Sequence, residues 1–356
     1  MSKSKPTAID LFCGAGGLTT GLKKAGFKVL AGFELDNTAA ETYKSNHRKT
    51  RIFISDISRL NPTEVMAELK LEKGELDLLA GCPPCQGFST HKTRNKSSSV
   101  EDERNNLIFS ILEFIKTLEP KTIMIENVPG LAKDPRIEEF KSEIGLLGYK
   151  IDKNTIQVLD AADFGVPQRR KRMILQASRF GYISPPTPVK KRKTVKQAIG
   201  KLLSPGLSGD ALHDLPFTRS EKVNEIIKNV PKDGGSRAQL PLRLWLPCHI
   251  KRPGSYRDVY GRMAWNDVSP TITGGCTNPS KGRFIHPEQD RAITLREAAL
   301  LQTFPQNYKF SLKKGKDFTA LMIGNALPPH LIYTHAKKYR EHLNTLNAGD
   351  KECLKN

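Results

Sequence analysis

The chain lacks any apolar run near the 18 or so residues that a membrane-crossing helix needs, so no span is expected. Its first residues, Met1-Ser2-Lys3-Ser4-Lys5-Pro6-Thr7, carry charge with no apolar core region behind them, and the apolar stretch 8–12 is too short for a secretory signal. Cysteine is sparse: the six, at 13, 82, 85, 248, 276 and 353, are too scattered to form a disulfide framework, which points to a reduced, cytoplasmic setting. No internal repeat is present. Acidic residues are the minority charge, 37 against 57 Lys and Arg, for a formal net charge of +20. That imbalance is the electrostatic footprint of a protein that meets a polyanion. An acidic membrane surface fits less well, because no basic amphipathic helix stands out.

The first half alternates short apolar runs with helical patterns. Strands are expected at 7–12, 28–33, 51–54, 76–80 and 122–125, with helices at 18–25, 37–45, 64–69 and 105–118. Such alternation predicts an α/β domain with a mostly parallel sheet and helices on both faces. Ligands of such sheets sit beyond the carboxyl ends of the strands, where Cys13, Glu34, Asp56, residues 81–85 and Glu126 all fall. Residues 91–104 are polar and read as a lid or a linker. Past Pro185-Pro186-Thr187-Pro188 the alternation stops, and the run Lys190-Lys191-Arg192-Lys193 opens an irregular, basic region. The expected organisation is a catalytic domain of residues 1–188 completed by 315–345, a second domain of 189–314, and a flexible tail from 346.

Four constellations carry chemistry. Asp10-Leu11-Phe12-Cys13-Gly14-Ala15-Gly16-Gly17-Leu18 ends a strand and opens a helix, letting a ligand approach the backbone. Thr19 stands where a dinucleotide fingerprint has its third glycine, so a nicotinamide site is disfavoured. Glu34 could accept from ribose hydroxyls and Asp56 from an adenine amino group; each alone reads equally as a solvated acid. Gly81-Cys82-Pro83-Pro84-Cys85-Gln86-Gly87-Phe88-Ser89 holds a cysteine behind two prolines, which restrict the chain before it. A redox pair should begin a helix, and half a zinc site lacks its second pair, so neither suits this CxxC, and no metal is expected. Glu126 ends an apolar strand, as a proton donor or an ordinary strand-end acid. Gln168-Arg169-Arg170-Lys171-Arg172 precedes a strand at 173–176 and reads either as a solvated turn or as two arginines, 170 and 172, on one side.

With Arg296-Glu297-Ala298-Ala299-Leu300-Leu301-Gln302-Thr303-Phe304-Pro305 and Gly324-Asn325-Ala326-Leu327-Pro328-Pro329, these blocks resemble the DNA (cytosine-5) methyltransferases of the bacterial modification type, in the family's order. The resemblance implies a Rossmann-like, S-adenosylmethionine-dependent catalytic domain with a smaller target-recognition domain. It implies Cys85 as nucleophile on carbon 6 of a flipped-out cytosine, Glu126 as donor to ring nitrogen 3, and, of Arg170 and Arg172, one as a contact to the base carbonyl and the other as support for the glutamate. Phe12, Gly14, Gly17, Leu18, Glu34, Leu35, Asp56, Ile57, Pro84, Leu107 and Asn325 match positions that hold the cofactor. Leu35 departs from the aromatic residue that often stacks on the adenine. Gln86, Ser89 and Thr271, the last in a Thr-Ile pair resembling the family's Thr-Leu, match DNA-contacting positions. Cys82 reads as a small packing residue. The implied protein is a monomer acting on double-stranded DNA near the nucleoid, alongside a restriction endonuclease. Its rivals are a tRNA-methylating relative and a non-catalytic DNA-binding protein on the same fold.

Overall fold

The computed structural model describes residues 4–84 and 107–353. The chain forms two compact units, Met1–Asp160 with Lys171–Pro188 and Pro329–Asn356, and Ala161–Arg170 with Val189–Pro328.

The first unit is built on a seven-stranded sheet. Its strands are β1 (Thr7–Leu11), β2 (Lys28–Glu34), β3 (Arg51–Ile54), β4 (Leu78–Gly81), β5 (Thr122–Asn127), β6 (Ile156–Asp160) and β7 (Lys171–Ser178), in the spatial order β3-β2-β1-β4-β5-β7-β6. β1 to β5 run parallel, and β7 is antiparallel to both its neighbours. Every residue of β4 and β5 is buried, as strands covered on both faces require. The covering helices are α1 (Gly17–Lys24), α2 (Asn37–Asn46), α3 (Pro62–Glu68), α4 (Leu107–Leu118 in the described part) and α5 (Pro135–Leu146). α5 was not expected, although its signals are legible: Asp134 caps it, Pro135 opens it, and Ile137, Phe140 and Ile144 form its buried stripe. One core joins Leu11, Phe33, Leu79, Phe114, Ile125 and Leu175 across these elements. Strand order reverses between β1 and β4, so the crevice beyond their carboxyl ends is the switch point where such sheets bind ligands.

The second unit has α6 (Val195–Ile199), α7 (Ala211–Asp214), α8 (Glu221–Asn229), α9 (Pro247–Lys251), α10 (Leu295–Leu301) and α11 (Gly315–Asn325), joined by irregular chain. A polar hub organises it. Arg262, fully buried, donates to the carbonyls of Ile227, Val230, His286 and Gln289 and pairs with Asp290. An arginine supplies five donors in a fixed fork, which lets one side chain tie together chain that forms no sheet. The return expected at 315 does not occur there, because α11 packs on α10 and stays with this unit. The chain rejoins the first unit as α12 (Pro329–Cys353), where Tyr339 donates to the Ile123 carbonyl at 2.8 Å. The stretch expected as a tail from 346 is helical as far as Cys353, being a continuation of α12.

Candidate active site

The loop after β1 turns sharply. Phe12 takes a positive φ of 61°, just past the strand expected to contain it, and Gly14 and Gly16 follow at 52° and 93°. Gly16 precedes α1, so Gly17 and Leu18 lie buried in its first turn. Glu34 ends β2 and reaches back across the sheet edge to this loop. Its Oε2 accepts from the Gly14 amide at 2.9 Å, and Oε1 from Leu35 and Asp36 at 2.9 and 2.8 Å. Burial pushes the Glu34 carboxyl above its usual range, opposed by those three donors. Three bonds leave a carboxylate room for a fourth, and the space above Gly14 is open. Leu35 is 66% exposed beside it. Beyond β3, Asp56 caps a short 3-10 turn whose first residue is the buried Ile57. Bonds from Ser58 fall on Asp56 Oδ1 and hold its carboxyl below its usual range. Leu107, at the start of described α4, packs against the core.

Beyond β4 and β5, three side chains converge. Glu126 is 2% exposed. Arg172, near the start of β7, sets Nε 2.8 Å from Glu126 Oε1. That contact is an ion pair rather than an aligned hydrogen bond. On the other oxygen, Cys82 Sγ donates to Oε2 at 2.9 Å. The next residues are also tied, Asn127 Nδ2 donating to the Pro83 carbonyl at 3.1 Å ahead of Pro84. Cys85, Gln86 and Ser89 lie outside the described residues, as does the expected lid at 91–104.

Arg170 and Arg172 do not act as an alternating pair on one strand. β7 begins at Lys171, so Arg170 precedes it and belongs to the second unit. There its buried guanidinium donates to the carbonyls of Ile272, Gly324 and Ala326 at 3.0, 2.9 and 3.2 Å. Gln168 lies beside it, with Oε1 accepting from Ile272 N at 2.8 Å and Nε2 donating to Gln302 at 2.9 Å. Gln302 in turn donates to Ile323 O at 2.7 Å. This network gathers Gln168, Arg170, Ile272, Gln302 and the chain on both sides of Asn325. The Thr271 hydroxyl donates to the Arg169 carbonyl at 2.7 Å, a bracing contact.

Two side chains at the strand ends escaped the sequence reading. Cys82, expected as a packing residue, is only half-buried and bonds the carboxylate. Asp10 is fully buried in β1, with Oδ2 accepting from Thr19 N and Oγ1 while Oδ1 has no hydrogen-bond partner. Burial pushes the Asp10 carboxyl from 3.8 up to about 7. Its signal was an acid flanked by Ile9 and Leu11 in an apolar run.

The sequence model of the family described as C-5 cytosine-specific DNA methylase matches residues 7–341. Type II methylase M.HgiDII of Herpetosiphon aurantiacus is 39% identical over 95% of this chain and 96% of its own length. Type II methyltransferase M1.HphI of Haemophilus parahaemolyticus is 32% identical, over 93% and 86%. Among solved structures, a DNA modification methyltransferase encoded within an E. coli prophage superposes with a TM-score of 0.73 at 23% identity, covering 96% of this chain and all of that one. That last likeness is one of fold.

Proposed function

From a chain that belongs to the C-5 cytosine-specific DNA methylases, and is a DNA (cytosine-5) methyltransferase, we propose the following course of reaction. S-adenosylmethionine supplies the methyl group when bound. The loop at Phe12, Gly14, Gly17 and Leu18 would hold it against the backbone, with the fourth bonding position of Glu34 taking a ribose hydroxyl. Asp56 and Ile57 would meet the adenine over exposed Leu35, and Pro84, Leu107 and Asn325 complete the contacts by resemblance. The open space above Gly14 and the unfilled capacity of Glu34 support this fit.

The target carbon lies inside the base stack, so the cytosine must be flipped out of the duplex. Cys85 thiolate attacks carbon 6 while Glu126 donates a proton to nitrogen 3, which makes carbon 5 nucleophilic. After carbon 5 takes the methyl group it loses its proton to water, the electron pair of that bond expels the thiolate, and nitrogen 3 returns its proton to Glu126. Arg172 orients Glu126, and Arg170 braces the 324–326 turn rather than meeting the base. The observation that carries this reading is the buried Glu126 carboxyl held at both oxygens at the end of β5. Gln86, Ser89 and Thr271 are proposed to face DNA, and the second unit to choose the sequence methylated, as the modification partner of a restriction endonuclease.

The test is incubation with labelled S-adenosylmethionine and either duplex DNA or tRNA, followed by a 5-fluorocytosine duplex. Fluorine cannot leave as the proton does, so wild type should form a lasting adduct that Cys85→Ser does not. Label on tRNA alone, or an adduct persisting in Cys85→Ser, would sink the reading.

A further inference from the structure

We propose that Cys82 is a positioning residue that sets Glu126 for proton donation, and is not a packing residue; this rests on the reaction proposed above. The register leads to it. Gly81 of β4 pairs with Ile125 of β5, so one step further along the parallel strands Cys82 comes beside Glu126. The Cys82 amide donates to the Leu11 carbonyl at 3.2 Å, which fixes the backbone as it leaves the sheet. From that anchor Sγ reaches Glu126 Oε2 at 2.9 Å. Asn127 holds the following residue, Pro83, at 3.1 Å, so the segment cannot slide along β5.

Two facts separate this from packing. Cys82 is half-buried, whereas the core of this unit is filled by fully buried aliphatic and aromatic side chains. And Arg172 meets Oε1 as an ion pair without an aligned hydrogen bond, so it draws the carboxylate without fixing its rotation. The thiol bond to Oε2 supplies the second fixed point. A thiol is a weak donor, so the bond serves to fix the rotation of the carboxyl rather than to hold it tightly. A carboxyl that must meet a base edge within hydrogen-bond reach gains rate from being held there beforehand.

The test compares Cys82→Ala, Cys82→Ser and Cys82→Val with wild type in full-length protein, measuring kcat and KM for duplex DNA separately. Serine keeps a donor, valine keeps apolar bulk, and alanine keeps neither. The expected result is that alanine and valine lower kcat about tenfold with KM for DNA within twofold, while serine stays within about threefold of wild type. A ranking by side-chain volume, with valine near wild type and serine as low as alanine, overturns the proposal in favour of packing. Four equally active proteins overturn it too, by showing the contact idle. No methyl transfer by wild type is the different failure, that of the reaction reading itself, and this inference falls with it.

Discussion

Asp10→Asn isolates the cost of an ionisable group placed in the middle of a sheet. In the folded protein burial raises the Asp10 carboxyl from 3.8 to about 7. An acid whose folded pKa lies above its unfolded value binds more protons when folded. Its contribution is therefore most favourable below 3.8 and worsens as pH rises towards 7. Linkage puts the penalty at about 4 kcal/mol at pH 9 and roughly 2 kcal/mol less at pH 5.5. Asparagine keeps an acceptor for the Thr19 amide and hydroxyl but cannot ionise. Its NH2 group takes the place of the unpartnered Oδ1, a penalty of about 1–3 kcal/mol that does not vary with pH. The decisive quantity is thus the pH dependence of the difference between variant and wild type. For a unit of about 200 residues, melting should shift in favour of the variant by about 4–8 °C between pH 5.5 and 9, read by calorimetry. Other titrating groups cancel, because both proteins carry them. A difference that stays flat across that range, or that favours the variant more at acid pH, would refute the reasoning.

Three other perturbations have defined outcomes. Glu126→Gln should lower kcat by about 10²–10⁴ while DNA binding in a gel-shift assay is kept, and adding Arg172→Met should cost less than the two single losses multiplied, since both act on one carboxyl. Gly324→Ala would drive a Cβ into the backbone of Thr273 and Gly274, so the second unit should lose about 3 kcal/mol or more, seen as accelerated limited proteolysis between residues 189 and 328. Burial pushes the His286 imidazole from 6.5 down to about 4, with Arg291 and Arg262 opposing its protonation and Glu297 favouring it. A depressed folded pKa means full stability above 6.5, lost as pH falls through 4. Since His286 Nδ1 accepts from the Glu288 and Gln289 amides, His286→Gln should flatten the acid decline of the second unit's melting temperature.

What the sequence determined by itself was local. The alternation of apolar runs and helical stripes predicted the five parallel strands to within one or two residues, because each is a short run rich in apolar residues punctuated by its own turn residues. The motif blocks named their residues for the same reason: glycines, prolines and strand-end acids are written in consecutive positions. Tertiary structure decided which of these residues share partners. Arg170 and Arg172 are two apart in sequence, yet one binds carbonyls of residues 272, 324 and 326 and the other binds Glu126, since β7 starts between them. No local pattern predicts that α11 packs on α10 rather than joining the sheet. Nor does one reveal that Cys82 faces Glu126, 44 residues away. Those pairings follow from strand register and from the need of buried polar groups for partners, and both exist only once the chain has closed on itself.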